Sequence, residues 1–211
     1  MNVGAVGDLR HVKHALSTAR LVLHTTRHSM LTGLQATQFA MDMGMQLDDL
    51  STKASTELHA QWRADACQPN FRTHVCPNPR RHCGPYHLGK GGLVEESAAT
   101  CEDATVARAL LRQADGEGAA TALRDSRASE ASYPSATAHD TIALVAISAD
   151  GSIAAGASTN GAIHKVPGRV GDGAVAGGGA YADSQVGACG ATGDGDVHLR
   201  FMPCYQVRGR V

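Results

Sequence analysis

The residues best suited to chemistry are Asp140 and Thr141, which stand where an Ala- and Ser-rich segment meets the apolar run Ile142–Ile147. Scission of the peptide bond between them would leave Thr141 with a hydroxyl and a free α-amine on one residue. An α-amine has a reference pKa of about 8, well below that of a lysine, so it can act as the general base for that hydroxyl. By itself the pair indicates a turn that leads into a strand, as most Asp-Thr pairs do, and a self-activating nucleophile is the alternative.

A second candidate set, Arg169 and Asp172, lies on a Gly-flanked loop in the Gly-rich second half of the chain. An arginine can bind a carboxylate bidentately and an aspartate can bind an ammonium group. Together they could read the two charges on the α-carbon of an amino acid, although the same spacing also fits a surface salt bridge. The glycines form neither Gly-x-Gly-x-x-Gly nor Gly-Lys-Ser/Thr, so nucleotide binding has little support.

Three cysteines surround a Pro- and Arg-rich loop. We expect a disulfide between Cys67 and Cys83, with Cys76 left over, and such a bond would stabilise the fold by roughly 3 kcal/mol in the chain-entropy model. A zinc site that used these cysteines and His82 would have the wrong spacing for any common zinc knuckle. The pairing of the remaining cysteines stays open: Cys76, Cys101, Cys189 and Cys204.

Composition narrows the class of protein. A length of 211 residues suits one domain, or a domain with an appendage, and the formal net charge of −1 argues against nucleic acid or an anionic membrane as the main partner. No apolar run reaches the roughly 18 residues of a membrane span. Histidine pairs at helical spacing (His11 with His14, His24 with His28) lack acidic or cysteine partners, so we expect neither a metal nor a cofactor.

The elements that must position these residues change type along the chain. Helical periodicity predicts helices over 12–23 and 32–43, and the segment 48–52 indicates the start of a third helix that reaches Asp65. Residues 88–138 are rich in Ala, Ser, Glu and Gly and predict a poorly ordered linker. Beyond it the sequence predicts a buried strand over 141–148, its antiparallel partner over 153–159, and a strand over 197–202. Helices first and antiparallel strands later indicate an α+β protein.

Several motifs then occur in the order and spacing typical of one enzyme family, and the chain resembles the glycosylasparaginases, which are N-terminal-nucleophile hydrolases. The resemblance covers roughly residues 3–87 and 138–206. Ser158-Thr-Asn-Gly161 and the context of Cys67 favour this branch over the related isoaspartyl peptidases and asparaginases. The motifs that carry it are His139-Asp-Thr-Ile142, Ser158-Thr-Asn-Gly161, Gly168-Arg-Val-Gly-Asp172, Gly179-Ala-Tyr-Ala-Asp183 and Ala191-Thr-Gly-Asp-Gly-Asp196.

The resemblance implies a partial αββα sandwich made as an inactive precursor that cleaves itself between Asp140 and Thr141. It implies that Thr141 is the nucleophile and that Thr159 hydrogen-bonds it. Further roles follow by resemblance: an oxyanion hole from Thr192 and the backbone N–H of Gly193, a carboxylate site at Arg169, an ammonium site at Asp172, and a Cys67–Cys83 disulfide.

The implied activity is hydrolysis of the bond between N-acetylglucosamine and asparagine during glycoprotein breakdown in the lysosome, on a small-molecule substrate, by homo-oligomers of cleaved protomers. The alternatives are an isoaspartyl peptidase or L-asparaginase, or an inactive truncated product. Relatives begin before Met1, whose surroundings do not resemble a secretory signal, and continue past Val207. We therefore expect a single incomplete domain over 1–211, with an α-chain portion at 1–87, the linker at 88–138 and the start of a β-chain at 139–207.

Overall fold

The computed structural model describes residues 2–88 and 141–208. Residues 2–51 and 141–208 belong to one compact unit, and residues 52–88 belong to a second. The predicted linker, apart from Leu88, lies outside the described residues, and so does Asp140. None of the helices in the two described ranges is long and apolar enough to cross a membrane.

The first unit begins with a strand–helix–strand element. Strands β1 (Ala5–Gly7) and β2 (Met30–Thr32) pair in parallel, and helix α1 (Ala15–Thr25) connects them. Helix α2 (Gly33–Asp42) follows directly, so the two predicted helices are confirmed, whereas the sequence did not indicate β2. Small side chains let these elements pack closely, and the buried ones include Thr18, Ala19, Val22, Ala36, Thr37 and Ala40.

The second unit contains helix α3 (Lys53–Ala64) and the short antiparallel strands β3 (Val75–Cys76) and β4 (His87–Leu88). A capping box starts α3, because Thr52 Oγ1 accepts from the Ser55 backbone N–H and Ser55 Oγ accepts from the Thr52 backbone N–H. The helix therefore begins at Lys53, directly after the predicted start segment 48–52.

The cysteine loop lies entirely in this second unit. The Cys67–Cys83 disulfide is present, with a Cα–Cα distance of 5.1 Å, which confirms that prediction. Cys76 is buried and is also disulfide-bonded, so the expectation that it would be left over is wrong.

The C-terminal part of the first unit contains two β-hairpins. Strands β5 (Ile142–Ile147) and β6 (Ile153–Ser158) pair antiparallel as predicted. Strands β7 (Ala180–Asp183) and β8 (Gly187–Gly190) form the second hairpin from sequence that reads only as Gly-rich loops. Strand β6 lies beside β7, and the backbone N–H of Ile153 donates to Ser184 Oγ at 3.0 Å.

Strand β5 is not buried, contrary to expectation. Ile142, Leu144 and Ile147 are each about 70% exposed. One face of β5 does have a neighbour, because Gly190 of β8 lies against the Ala143 side chain. Within the described residues, nothing covers the face that carries Ile142 and Leu144, so their apolar character does not lead to burial there.

The segment predicted as a strand over 197–202 is instead helix α4 (Gly195–Phe201). The prediction is wrong because Asp194 caps this segment: its Oδ1 accepts from the backbone N–H groups of Asp196 at 3.0 Å and Val197 at 3.2 Å. After Met202 in the left-handed region, helix α5 (Pro203–Arg208) follows, and a Cys189–Cys204 disulfide ties it to β8. Mixed helices and small sheets make the chain an α+β protein.

Candidate active site

Thr141 directly precedes β5, and the register of the first hairpin determines its neighbour. Ile142 pairs with Ser158, so the next position outward on each strand brings Thr141 opposite Thr159. The Thr141 hydroxyl donates a hydrogen bond to Thr159 Oγ1 at 3.0 Å. Both threonines are half-buried. The strand pairing that the apolar run and the turn after it already predict therefore brings two hydroxyl groups into contact.

Thr159 is itself held in place by the turn that follows it. Its Oγ1 also accepts from the backbone N–H of Gly161 at 2.8 Å, and Gly161 has a φ of +82°. The Thr159 methyl group lies against Gly173, where a Cβ atom would approach it to 2.8 Å. A hydroxyl has two acceptor lone pairs, so one N–H and one O–H can both bind this oxygen. Because Gly173 directly follows Asp172, this contact joins Thr159 to the loop that carries Asp172.

Arg169 and Asp172 converge on a single backbone position, Gly195 at the start of α4. A methyl group on Gly195 would lie 2.6 Å from Asp172 Oδ1 and 3.0 Å from Arg169 Nη2. Only a residue without a side chain leaves room for both groups, and Gly195 is buried. Arg169 and Asp172 are three residues apart in sequence, and the short 3₁₀ helix Asp172–Ala174 begins at Asp172.

Each of these charged groups has its own partner on α4. Arg169 forms a bidentate contact with Asp196, with Nη2–Oδ2 at 3.0 Å and Nε–Oδ1 at 3.3 Å. Asp172, whose side chain is 4% exposed, lies 2.6 Å from His198 Nδ1 through its Oδ2. Arg169 and Asp172 are therefore not simply a surface salt bridge with each other. Sequence reasoning missed Asp196 and His198 because it assigned their segment to a turn and a strand, although Asp194 ahead of Gly195 is a recognisable helix cap.

Thr192 and Gly193 occupy the loop between β8 and α4. Gly193 has a φ of +146° and lies against the His198 ring, whose Cε1 and Nε2 atoms would be 3.2 Å from a Cβ there. Thr192 is exposed. Just before them, the Ala191 backbone N–H donates to the Gly179 carbonyl at 2.9 Å, which anchors the loop to the segment that leads into β7. The packing of Gly190 on Ala143 places the start of this loop beside the start of β5.

The structure thus brings together most of the residues singled out from sequence within the first unit. The hydrogen-bonded pair Thr141 and Thr159 contacts, through the Thr159 methyl group and Gly173, the loop that carries the Arg169 guanidinium and the buried Asp172 carboxylate. Asp140 lies outside the described residues, and Cys67 and Cys83 belong to the other unit. In residues 2–88 and 141–208 no group of three or more His, Cys, Asp or Glu side chains could hold a metal ion.

The chain is similar to known proteins over nearly its whole length. The chain matches the asparaginase family over residues 1–211. It is 43% identical over 207 residues to a mouse (Mus musculus) N(4)-(beta-N-acetylglucosaminyl)-L-asparaginase, which covers 98% of this chain and 51% of the relative. The rat (Rattus norvegicus) protein of the same name is 41% identical with the same coverage.

A plant relative carries a different name. The probable isoaspartyl peptidase/L-asparaginase 3 of Arabidopsis thaliana is 40% identical over 213 residues, which cover 98% of this chain and 52% of the relative. The chain spans about half the length of the curated relatives it matches. The family match and the two mammalian relatives confirm the resemblance to glycosylasparaginases that the motifs indicate.

Proposed function

The chain belongs to the asparaginase family, and from this premise we propose that it supplies the reactive centre of an amidohydrolase that cleaves the bond between N-acetylglucosamine and asparagine. The observation that carries the proposal is the 3.0 Å hydrogen bond from the Thr141 hydroxyl to Thr159, whose methyl group lies against Gly173 on the loop that carries Arg169 and Asp172. An oriented hydroxyl, together with a neighbouring loop that offers one positive and one negative group, suits an amino acid whose side-chain amide is attacked.

The first step of the proposal is self-cleavage. The Thr141 hydroxyl attacks the Asp140 carbonyl carbon, the C–N bond breaks as the hydroxyl proton passes to the Thr141 nitrogen, and an ester joins the two residues. Water then hydrolyses the ester, leaving a carboxylate on Asp140 and a free α-amine on Thr141. That amine can accept the proton of the Thr141 hydroxyl, because its reference pKa of about 8 is well below that of a lysine.

In the second reaction the activated Thr141 oxygen attacks the side-chain amide carbon of the glycosylated asparagine. Arg169 holds the substrate α-carboxylate and Asp172 its α-ammonium, which positions the amide over the nucleophile. The Thr192 hydroxyl and the Gly193 N–H donate to the developing oxyanion, and one such donor is typically worth about 3 kcal/mol at the transition state. The amine of the sugar leaves with a proton, and water hydrolyses the resulting ester to release aspartate.

Further parts of the proposal concern the whole protein. Self-cleavage would separate an α-chain that contains residues 1–87 from a β-chain that starts at Thr141. The two would stay together in an αββα sandwich and assemble into oligomers of cleaved protomers, in the lysosome where glycoproteins are degraded. The names of the mammalian relatives support the substrate class. The name of the plant relative supports a second candidate, hydrolysis of isoaspartyl peptides or asparagine.

The test uses the full-length protein that carries this sequence. We expect two fragments on a denaturing gel, with Thr141 as the N-terminal residue of one, and aspartate release from N-acetylglucosaminyl-asparagine. Thr141→Ala should abolish both, whereas Thr25→Ala, which alters an exposed threonine at the end of α1, should change neither. Faster turnover of a β-aspartyl dipeptide would favour the second candidate. Cleaved protein that hydrolyses neither substrate would contradict the proposal.

A further inference from the structure

We propose that His198 is a positioning residue for the ammonium subsite: it holds the Asp172 carboxylate in the orientation that binds the substrate α-ammonium. The inference rests on the proposed function, because it takes Asp172 as the group that binds this ammonium. Neither the sequence motifs nor their spacing pointed to His198.

The contact between the two side chains is short and shielded from solvent. His198 Nδ1 lies 2.6 Å from Asp172 Oδ2, and their side chains are 21% and 4% exposed. A carboxylate can only accept hydrogen bonds, so the imidazole N–H is the donor. A carboxylate that is 4% exposed needs such a donor, because little water is available to it in the free protein.

His198 determines the orientation of the Asp172 carboxylate, which the backbone hydrogen bonds of Asp172 do not fix. The Asp172 carbonyl accepts from the backbone N–H groups of Val175 at 2.9 Å and Gly179 at 3.0 Å, which fixes the main chain. The side-chain torsions then decide where the carboxylate points. With Oδ2 bound to His198, Oδ1 faces Gly195 on the side where Arg169 Nη2 also lies. This is the orientation in which the two charged groups can bind one α-carbon together.

The His198 ring also lies against the loop between β8 and α4, which carries the proposed oxyanion donors Thr192 and Gly193. Its Cε1 and Nε2 edge lies against Gly193, where a Cβ atom would be 3.2 Å away. The ring therefore fills the space between the ammonium subsite and the proposed oxyanion donor. Helix α4 holds the backbone of His198, whose N–H donates to the Asp194 carbonyl at 2.9 Å and whose carbonyl accepts from Met202 at 2.7 Å. Asparagine at this position can keep a donor near the site of Nδ1 while losing the ring.

The experiment compares two ligands that differ only in the ammonium group. Isothermal calorimetry on the full-length protein measures the Kd of L-aspartate, the proposed product, and of succinate, which lacks the α-amine. His198→Leu should raise the Kd of aspartate by about tenfold, because hydrogen bonds to charged groups carry energies of that order. The Kd of succinate should change by less than about twofold, because succinate has no ammonium group for the Asp172 carboxylate to bind. His198→Asn should largely restore aspartate affinity.

His24→Leu serves as the matched control, since His24 is exposed and also lies in the last turn of a helix; it should leave both Kd values unchanged. Equal losses for aspartate and succinate would assign His198 a purely structural role and overturn the proposal. Unchanged aspartate affinity in His198→Leu, or wild-type protein that binds no aspartate, would overturn it too. Selective loss of aspartate affinity in a protein that does not hydrolyse the glycosylated asparagine would refute the proposed function and uphold the role of His198.

Discussion

Replacement of Thr159 by valine tests the role of the hydroxyl pair most directly. Valine keeps the branched shape and the methyl group that lies against Gly173, but it lacks the oxygen that accepts from Thr141 Oγ1 at 3.0 Å and from the Gly161 N–H at 2.8 Å. Thr159→Ser is the complementary change, because it keeps the oxygen and removes the methyl group.

The loss of each of these two hydrogen bonds should appear in a different measurement. Each is a bond between neutral groups, for which a net contribution of about 1 kcal/mol is typical. The bond from Thr141 orients the nucleophile, so its loss should lower kcat by about fivefold, the equivalent of about 1 kcal/mol in the barrier. The bond from Gly161 stabilises the turn after β6, so its loss should reduce the free energy of unfolding by about 1 kcal/mol.

The assay is steady-state release of aspartate, with each rate divided by the fraction of chain that has cleaved itself. Urea unfolding of the same samples gives the change in stability. We expect Thr159→Ser to keep most of the wild-type kcat. If Thr159→Val keeps the wild-type kcat while it loses stability, Thr159 supports only the turn, and its assignment to the nucleophile is incorrect.

Three further outcomes follow from the described contacts. Asp194→Ala removes the side chain that caps α4 and should lower the free energy of unfolding by about 1 kcal/mol, measured by urea unfolding. Gly195→Ala would place a methyl group 2.6 Å from Asp172 Oδ1 and should raise the KM without abolishing self-cleavage, measured by kinetics and a denaturing gel. The Ser148 hydroxyl, followed by the Ser152 N–H and hydroxyl, lowers the pKa of Asp150 to about 2. This pKa lies below the unfolded value of about 3.9, so the ionised Asp150 carboxylate stabilises the β5–β6 turn fully above about pH 3.9, and this stabilisation is lost as the pH falls through about 2. Ser148→Ala should raise the pKa of Asp150, which NMR titration measures.

The local part of the fold could be predicted from sequence. Apolar residues at helical spacing predicted α1 and α2, and an apolar run followed by an Asp-Gly turn predicted the β5–β6 hairpin. Strands β7 and β8 were missed because their glycines and alanines carry no alternating pattern, and only their pairing with each other makes them strands. Helix α4 was predicted as a strand because the capping role of Asp194 was overlooked.

The types of the reactive residues come from the sequence alone: a threonine before a strand, an arginine and an aspartate on a glycine loop, and the motif order of one family. The tertiary structure decided which groups touch. Arg169 reaches Asp196 and Asp172 reaches His198 across 27 and 26 residues of chain, and Cys189 finds Cys204 only because α5 packs on β8. Such partners depend on how distant segments pack, and hydrogen bonds and ion pairs vary steeply with distances that a one-dimensional pattern does not contain.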